Sequence, residues 1–381
     1  MFLVLLDLSA AFDTVSHEVL LSRLRLQNGI NGNALQWISS YLHDRSQSVL
    51  VAGNLSEAAP LKWGVPQGSV LGPDLFSDYS APVANIIRSY GVTAHCYADD
   101  TQLDVTFSPG DNESEVLDVL ERCIDELRLW MTANKLKLND SKTEFIIFGS
   151  ATQIKKVSTS CIHIGEHSIP SSRCVRNIGA FFDEQMKMEN QVKQMCKSTW
   201  HHLFNISKIR EYLTTDQAKS LIHAYVTSKL DMNNALLSGA PQFLISKLQI
   251  IQNCAAKIIS QANKFDHATP ILRNLHWLPV AQRIVFKLLL LTFKALSCKG
   301  PDYLRELLIP YQPSRSLRSS SDHHLLVIPK TKLKTYGDKA FSAAAPVLWN
   351  NLPFYIRSCQ SVISFKSALK THLFKSSLES L

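Results

Sequence analysis

Apolar and polar positions along the 381-residue chain keep a mixed strand and helix rhythm at first, then settle into helical spacing. Phe2, Leu3, Val4, Leu5 and Leu6 are an unbroken apolar run of strand length, as in a strand covered on both faces. A chain that opens inside such a strand reads as cut. Residues 15–26 follow with apolar positions at helical spacing. Residues 47–52 and 61–65 are expected to pair as strands around the turn-rich Gly53-Asn54, and a helix over about 74–89 ends near Gly91. Strands at 92–97 and 101–107 leave Ala98-Asp99-Asp100 at the turn between them. Val116, Leu120, Ile124, Leu127 and Met131 line one side of a helix over 113–134. Residues 145–148 and 175–182 look like further strands. From about Met188 the pattern predicts helices over 191–209, 215–237, 243–262 and 280–296. Past Gly300 the rhythm weakens: residues 314–321, rich in Ser and Arg, read as an exposed, poorly ordered basic loop. Residues 335–381 are again apolar enough to pack, with Trp349, Leu352, Phe354 and Phe365 available. No internal repeat is evident.

Charge sharpens this division. Residues 1–150 hold 10 basic and 19 acidic side chains, whereas residues 151–381 hold 30 and 13. The overall +8 therefore conceals a strongly basic second part suited to an anionic partner such as nucleic acid or an acidic membrane surface. Hydrophobic residues at 45% and charged residues at 19% argue against extended disorder, and the length implies two or three units. The eight cysteines include no C-x-x-C pair, so no disulfide partner or zinc knuckle is expected, and a reducing intracellular compartment, cytoplasmic or nuclear, fits best. The apolar opening runs straight into Asp7 without a basic leader, and the stretch over 284–296 is broken by Lys287 and Lys294. Neither a secretion signal nor a membrane span is expected.

The candidate chemistry lies in carboxylates at strand ends. Asp7 closes one apolar strand, and Asp99-Asp100 sit where another turns back. Acidic groups beside buried strands are costly unless paired or bound to a cation, so a divalent metal between them is a natural explanation. Singly, each has an ordinary alternative as a turn or capping residue.

Their combination is more specific. Leu5-Leu6-Asp7-Leu8-Ser9-Ala10-Ala11-Phe12-Asp13, Gly64-Val65-Pro66-Gln67-Gly68-Ser69-Val70-Leu71-Gly72-Pro73, Tyr97-Ala98-Asp99-Asp100 and Asn139-Asp140-Ser141-Lys142-Thr143 occur in that order. The series resembles motifs A, B, C and D of a reverse transcriptase palm. Val175-Arg176-Asn177-Ile178-Gly179-Ala180-Phe181-Phe182-Asp183 is similar to the primer-grip hairpin, motif E. With the tail segments His276-Trp277-Leu278-Pro279-Val280 and Ala345-Pro346-Val347-Leu348-Trp349-Asn350, the whole resembles the polymerases of LINE-type (non-LTR, jockey-like) retrotransposons.

That resemblance implies an α+β fold: a right-hand palm with an antiparallel sheet over 1–150, a primer-grip-like hairpin region over 151–187, a basic helical thumb over 188–265, and a C-terminal helical region of unknown role over 266–381. It implies RNA-directed DNA polymerisation, with an RNA template, a DNA primer or target and dNTPs as partners and no membrane. Two Mg²⁺ ions (Mn²⁺ being an alternative) about 4 Å apart would clamp the attacking and leaving oxygens. Asp7, Asp99 and Asp100 are the expected metal ligands, with the Leu8 carbonyl beside them. Lys142 matches a lysine that neutralises or protonates departing pyrophosphate, though a solvated lysine reads equally well. Phe12 matches a ring that excludes a ribose 2′ hydroxyl, with core packing as its alternative. Gln67 and Gly68 match residues near the incoming nucleotide and template. Asp13 reads as a structural hydrogen-bonding residue. Lys193, Lys197, Lys208 and Arg210 are candidates for phosphate contacts. His201-His202 and His323-His324 read as surface histidines, because no partner cysteines stand at ligand spacing. The fingers and endonuclease expected ahead of motif A in this family are not in the sequence. A polymerase core with its chemistry retained and an inactive, nucleic-acid-binding relic are therefore both open readings.

Overall fold

The structure, a computed structural model, describes residues 1–312, 324–331 and 333–379. The basic loop expected over 314–321 and His323 lie outside the described residues. The chain divides into two units, Met1–Met186 and Lys187–Leu381.

The first unit is α+β and is organised by one strand. β1 (Phe2–Leu6) lies inside a six-stranded sheet, paired antiparallel with β7 (Asp100–Val105) on one side and β8 (Glu144–Ile147) on the other. Alternation decides what each side chain meets. Phe2, Val4 and Leu6 enter the main core, whereas Leu3 joins Ile146 and Val175 in a smaller cluster on the opposite face. Burial on both faces is why the run is continuously apolar. The sheet extends through β6 (Thr93–Tyr97), paired with β7, and through β9 (Cys161–Ile164) and β10 (His167–Ser172) beyond β8. It departs from the expected antiparallel sheet at one edge, where β10 runs parallel to β8. A separate hairpin, β11 (Cys174–Asn177) with β12 (Ala180–Asp183), turns at Ile178-Gly179, both at positive φ. Its Asn177 Oδ1 accepts a 2.9 Å bond from Gln102 Nε2 of β7, which ties the hairpin to the strand that carries Asp100.

Helices cover the sheet. In α5 (Glu113–Ala133), Leu120, Ile124, Leu127 and Met131 are buried at helical spacing, as the pattern required. At its start the Glu113 carboxylate accepts bonds from the Ser158 and Thr159 amides and hydroxyls at 2.6–3.0 Å. Burial alone would raise this carboxyl; the Thr159 and Ser158 bonds outweigh it and hold it below its ordinary value. α1 (His17–Leu26) appears nearly as expected, and a short turn α6 (Ala151–Ile154) follows β8. α2 (Gly32–Leu42) was not anticipated, although Leu35, Ile38 and Leu42 stand at helical spacing.

Three expectations are corrected. The helix over 74–89 is two, α3 (Gly72–Ser80) and α4 (Val83–Ser89), because Pro82 has no N–H to continue the ladder. The strand pair over 47–52 and 61–65 is replaced by nested rungs: β2 (Arg45–Gln47) pairs with β5 (Ala59–Leu61), and β3 (Leu50–Val51) pairs with β4 (Asn54–Leu55). Ala52 and Gly53, both at positive φ, make a two-residue turn that fixes this tighter register. Asp100 is not in the turn but opens β7, paired with Tyr97.

The second unit is helical: α7 (Glu189–Ile209), α8 (Thr215–Ile222), α9 (Ser228–Asp231), α10 (Gln242–Ser260), α11 (Ala268–Asn274), α12 (Val280–Leu296), α13 (Asp302–Glu306), α14 (Lys334–Gly337), α15 (Phe341–Asn350), α16 (Phe354–Arg357) and α17 (Val362–Glu379). The continuous helix expected over 215–237 is interrupted by a π-turn at His223–Thr227 and a 3₁₀ turn at Asn234–Leu237. α12, α15 and α17 share a core in which Phe293 stacks on Phe365 at 4.2 Å. Trp349 Nε1 donates to the His324 carbonyl (2.7 Å), and the Asn350 amide bonds both backbone groups of Leu326, so these two tail residues fasten a crossing segment. Of the four residues expected to pack here, Trp349, Leu352 and Phe365 are buried; Phe354 is exposed.

Phe145 is fully buried and faces Phe2 at 5.5 Å. Phe145→Ala is expected to cost about 3–5 kcal/mol in urea unfolding of the sheet-containing unit.

Candidate active site

Asp7 follows β1, one residue beyond the rung Leu6↔Thr101, and Asp100 precedes Thr101 on β7. Antiparallel pairing therefore brings Asp7 and Asp100 to the same end of adjacent strands. Asp99 occupies the two-residue turn between β6 and β7, next to Ala98 at φ 53°. Burial, then Asp99, then Asp7 push the Asp100 carboxyl above its ordinary value. Asp7 Oδ2 is shielded from solvent and has no hydrogen-bond partner. That is the condition of an anionic oxygen suited to a cation. Among the described residues, no three His, Cys, Asp or Glu side chains already surround a common point.

The Asn139 to Thr143 segment is sewn to the strand carrying Asp7. Asn139 N donates to the Asp7 carbonyl and Ser9 N to the Lys137 carbonyl, both at 2.8 Å, around the bridge Leu8↔Leu138. Neither bond uses the Leu8 carbonyl. The Thr143 amide closes a turn onto Asn139 O (3.0 Å), and Lys142 Nζ stands 3.6 Å from Asp7 Oδ2. Sequence reading missed what holds this turn from behind: Arg128 of α5 forks onto Asp140 at 2.6 and 3.2 Å. Spacing along the chain carries no signal for that pair.

The Gly64 to Pro73 loop is joined to the turn that carries Phe12. Val65 N donates to Phe12 O and Gly64 N to Val15 O, both at 2.8 Å, while His17 Nε2 meets Gly64 O at 2.8 Å. Gly64 has φ 89°, and a Cβ there would lie 2.9 Å from Phe12 O, so glycine is required twice over. Phe12 is half-buried with its ring 5.1 Å from Phe76. Gln67 is exposed, and Gly68, at φ 75°, has open space where a Cβ would point. Gln67 lines an open groove of about 750 Å³ together with Asp13, Arg45, Lys62 and Trp63. Arg45 and Lys62 were not foreseen as site residues. The rung Arg45↔Leu61 places them side by side, and the misread strand register hid it.

In the second unit Lys193, Lys197 and Lys208 are exposed on α7. Lys208 lies over the Phe204 ring at 4.3 Å. Arg210, expected to contact phosphate, is instead buried. Its guanidinium donates to the carbonyls of Ile258, Leu213 and Ile259 at 2.7–2.8 Å, closing the end of α10. His202 stacks on Tyr225 at 5.1 Å.

Residues 1–180 match the family described as reverse transcriptase (RNA-dependent DNA polymerase). This part of the chain is a reverse transcriptase domain. More particularly, it is similar to those of transposon polymerases. The chain is 24% identical over 291 residues to a probable RNA-directed DNA polymerase from transposon BS of Drosophila melanogaster, covering 74% of this chain and 31% of that protein. It is 30% identical over 151 residues to the RNA-directed DNA polymerase from mobile element jockey of Drosophila funebris, covering 38% and 16%. The chain thus spans less than a third of the length of these relatives. Among solved structures, telomerase from Candida albicans in complex with a fragment of telomeric RNA matches with a TM-score of 0.33 and 16% identity, over 75% of this chain and 48% of that one. No helix among the described residues is long and apolar enough to cross a membrane.

Two outcomes follow from this geometry. Gly64→Ala should destabilise the first unit by about 2–4 kcal/mol in chemical denaturation, from left-handed backbone strain plus the clash with Phe12 O. Asp7→Asn removes one of the charges that raise Asp100, so the Asp100 carboxyl should titrate at lower pH by carbon-detected NMR. An unchanged midpoint would show that the two groups do not interact.

Proposed function

We propose that this chain contributes the polymerising core of an RNA-directed DNA polymerase, extending a DNA primer on an RNA template with dNTPs. The observation that carries the reading is the gathering of Asp7, Asp99 and Asp100 at one sheet end beside Lys142, within a reverse transcriptase domain. Residues 1–150 act as the palm, 151–187 as the primer-grip region and 188–265 as the thumb; no role is assigned to 266–381.

Asp7, Asp99 and Asp100 would hold Mg²⁺. Asp7 Oδ2, which accepts no hydrogen bond and has only the Lys142 ammonium at 3.6 Å, and the repulsion acting on Asp100 support a cation there. When bound, a pair of such ions lowers the barrier to attack by a 3′ hydroxyl and stabilises the pyrophosphate that leaves. The carboxylates do not already converge, so binding involves their reorientation. The Leu8 carbonyl is the proposed fourth oxygen. Lys142, mostly exposed and next to Asp7, is free to swing toward a departing phosphate and supply charge or a proton. Phe12, braced by Phe76, sets a ring at the sugar edge, and Gln67 with Gly68 lets backbone and amide approach nucleotide and template. Arg45 and Lys62 make the groove beside Gln67 attractive to phosphate. Lys193, Lys197 and Lys208 supply sequence-independent contacts to a template-primer duplex.

Primer extension on poly(rA)/oligo(dT) with Mg²⁺ tests the reading, using the chain alone and joined to the segment that precedes motif A in a jockey-like polymerase. Extension is expected in the fusion. It should fall by at least about 10²-fold in Asp99→Ala and by about 10²-fold in Lys142→Ala, while Phe12→Ala should admit ribonucleotides. A fusion that folds and binds template-primer yet adds no nucleotide would favour the relic reading.

A further inference from the structure

The second unit contains a cavity of about 610 Å³ that the polymerase reading does not use, within the size range of small-ligand sites. Arg283 and Lys287 stand one turn apart on α12, and Lys366 and Lys370 one turn apart on α17; all four line it. Like charges at this spacing disfavour each other, and here two such pairs border one space. Among the described residues Asp231 is the only carboxylate in the lining, and it is engaged by a fork from Arg283, whose Nε reaches it at 2.8 Å. Among the described residues, Lys287, Lys366 and Lys370 have no ion-pair partner. The cavity is thus a concentrated positive field without a matching anion of its own.

Two further features narrow the ligand. Asn234, 4% exposed, forms part of the wall, and its Oδ1 is buried without a hydrogen-bond partner. A buried acceptor of this kind calls for a donor, which a phosphodiester lacks and a base amine or ribose hydroxyl offers. Trp277, Leu278 and Phe286 add an apolar, aromatic stretch of wall. His223 packs edge-on to Trp277 at 5.5 Å and opens the π-turn that interrupts the expected helix. Such turns are often found at functional sites. His276-Trp277-Leu278, a segment the polymerase chemistry leaves without a role, therefore frames this cavity.

We propose that this cavity binds one phosphate-bearing nucleotide of a single-stranded nucleic acid. The lysines meet the phosphate, the aromatic wall accepts the base, and Asn234 accepts a hydrogen bond from base or sugar. The site shares no residue with the carboxylates of the first unit, so its failure would leave the polymerase reading untouched.

Lysine acetylation read by mass spectrometry on the whole chain gives a local test. A single-stranded RNA decamer is expected to protect Lys287, Lys366 and Lys370 while leaving Lys375, outside the cavity, reactive. Adenosine monophosphate should protect the same lysines at a concentration at least about tenfold below that of inorganic phosphate, given the base contacts. In fluorescence anisotropy, Lys366→Gln/Lys370→Gln, both at exposed positions, should weaken decamer binding about tenfold and lower the log-log salt slope by about 2. Absence of protection at saturating RNA would overturn the site. Equal protection by phosphate and adenosine monophosphate would reduce it to an anion pocket and overturn the nucleotide assignment. Equal protection by a blunt RNA duplex would overturn the preference for a single strand.

Discussion

Like charges held together at the end of a buried strand are the constraint on which the first unit depends. β1 has antiparallel partners on both sides and core on both faces, so it cannot slip by one residue without turning Phe2, Val4 and Leu6 onto the wrong face. The same rigidity fixes Asp7 beside the β6–β7 turn, where it and Asp99 both raise the Asp100 carboxyl. Packing thus stabilises an arrangement that the carboxylates alone would disfavour. A bound cation would relieve such opposition.

Around this point the chain is stitched by backbone bonds more than by side-chain pairs. Phe12 O and Val15 O accept from Val65 and Gly64, and Asp7 O accepts from Asn139, so three segments far apart in sequence meet through amides that no substitution short of proline removes. Side chains refine the placement: Arg128 holds Asp140 from behind, and Phe76 backs Phe12. The requirement for glycine at position 64 arises from the closeness of that backbone contact.

Much of this was legible in the sequence. The apolar run of β1, the periodicity of α5 and the turn at Ala98-Asp99 all follow from local rules, and the ordered motifs lead to the reverse transcriptase domain found over residues 1–180. What was not legible depended on distant partners. Arg210 reads as one more surface cation until the carbonyls at the end of α10 are seen around it. The Arg45 and Lys62 groove depends on a register set by two positive-φ residues, Ala52 and Gly53. The β9–β10 pair is short and partly polar, so its period is weak. The π-turn at His223–Thr227 has no sequence signature that separates it from the helix on either side.

Binding of Mn²⁺ to the whole chain, followed by the loss of the free-ion signal in electron paramagnetic resonance, tests the central claim most directly. The account predicts saturable binding of one or two ions that Asp7→Asn and Asp99→Asn each weaken by at least about tenfold, with the fold retained by circular dichroism. Binding that is absent at millimolar Mn²⁺, or equally strong in both variants, would contradict it.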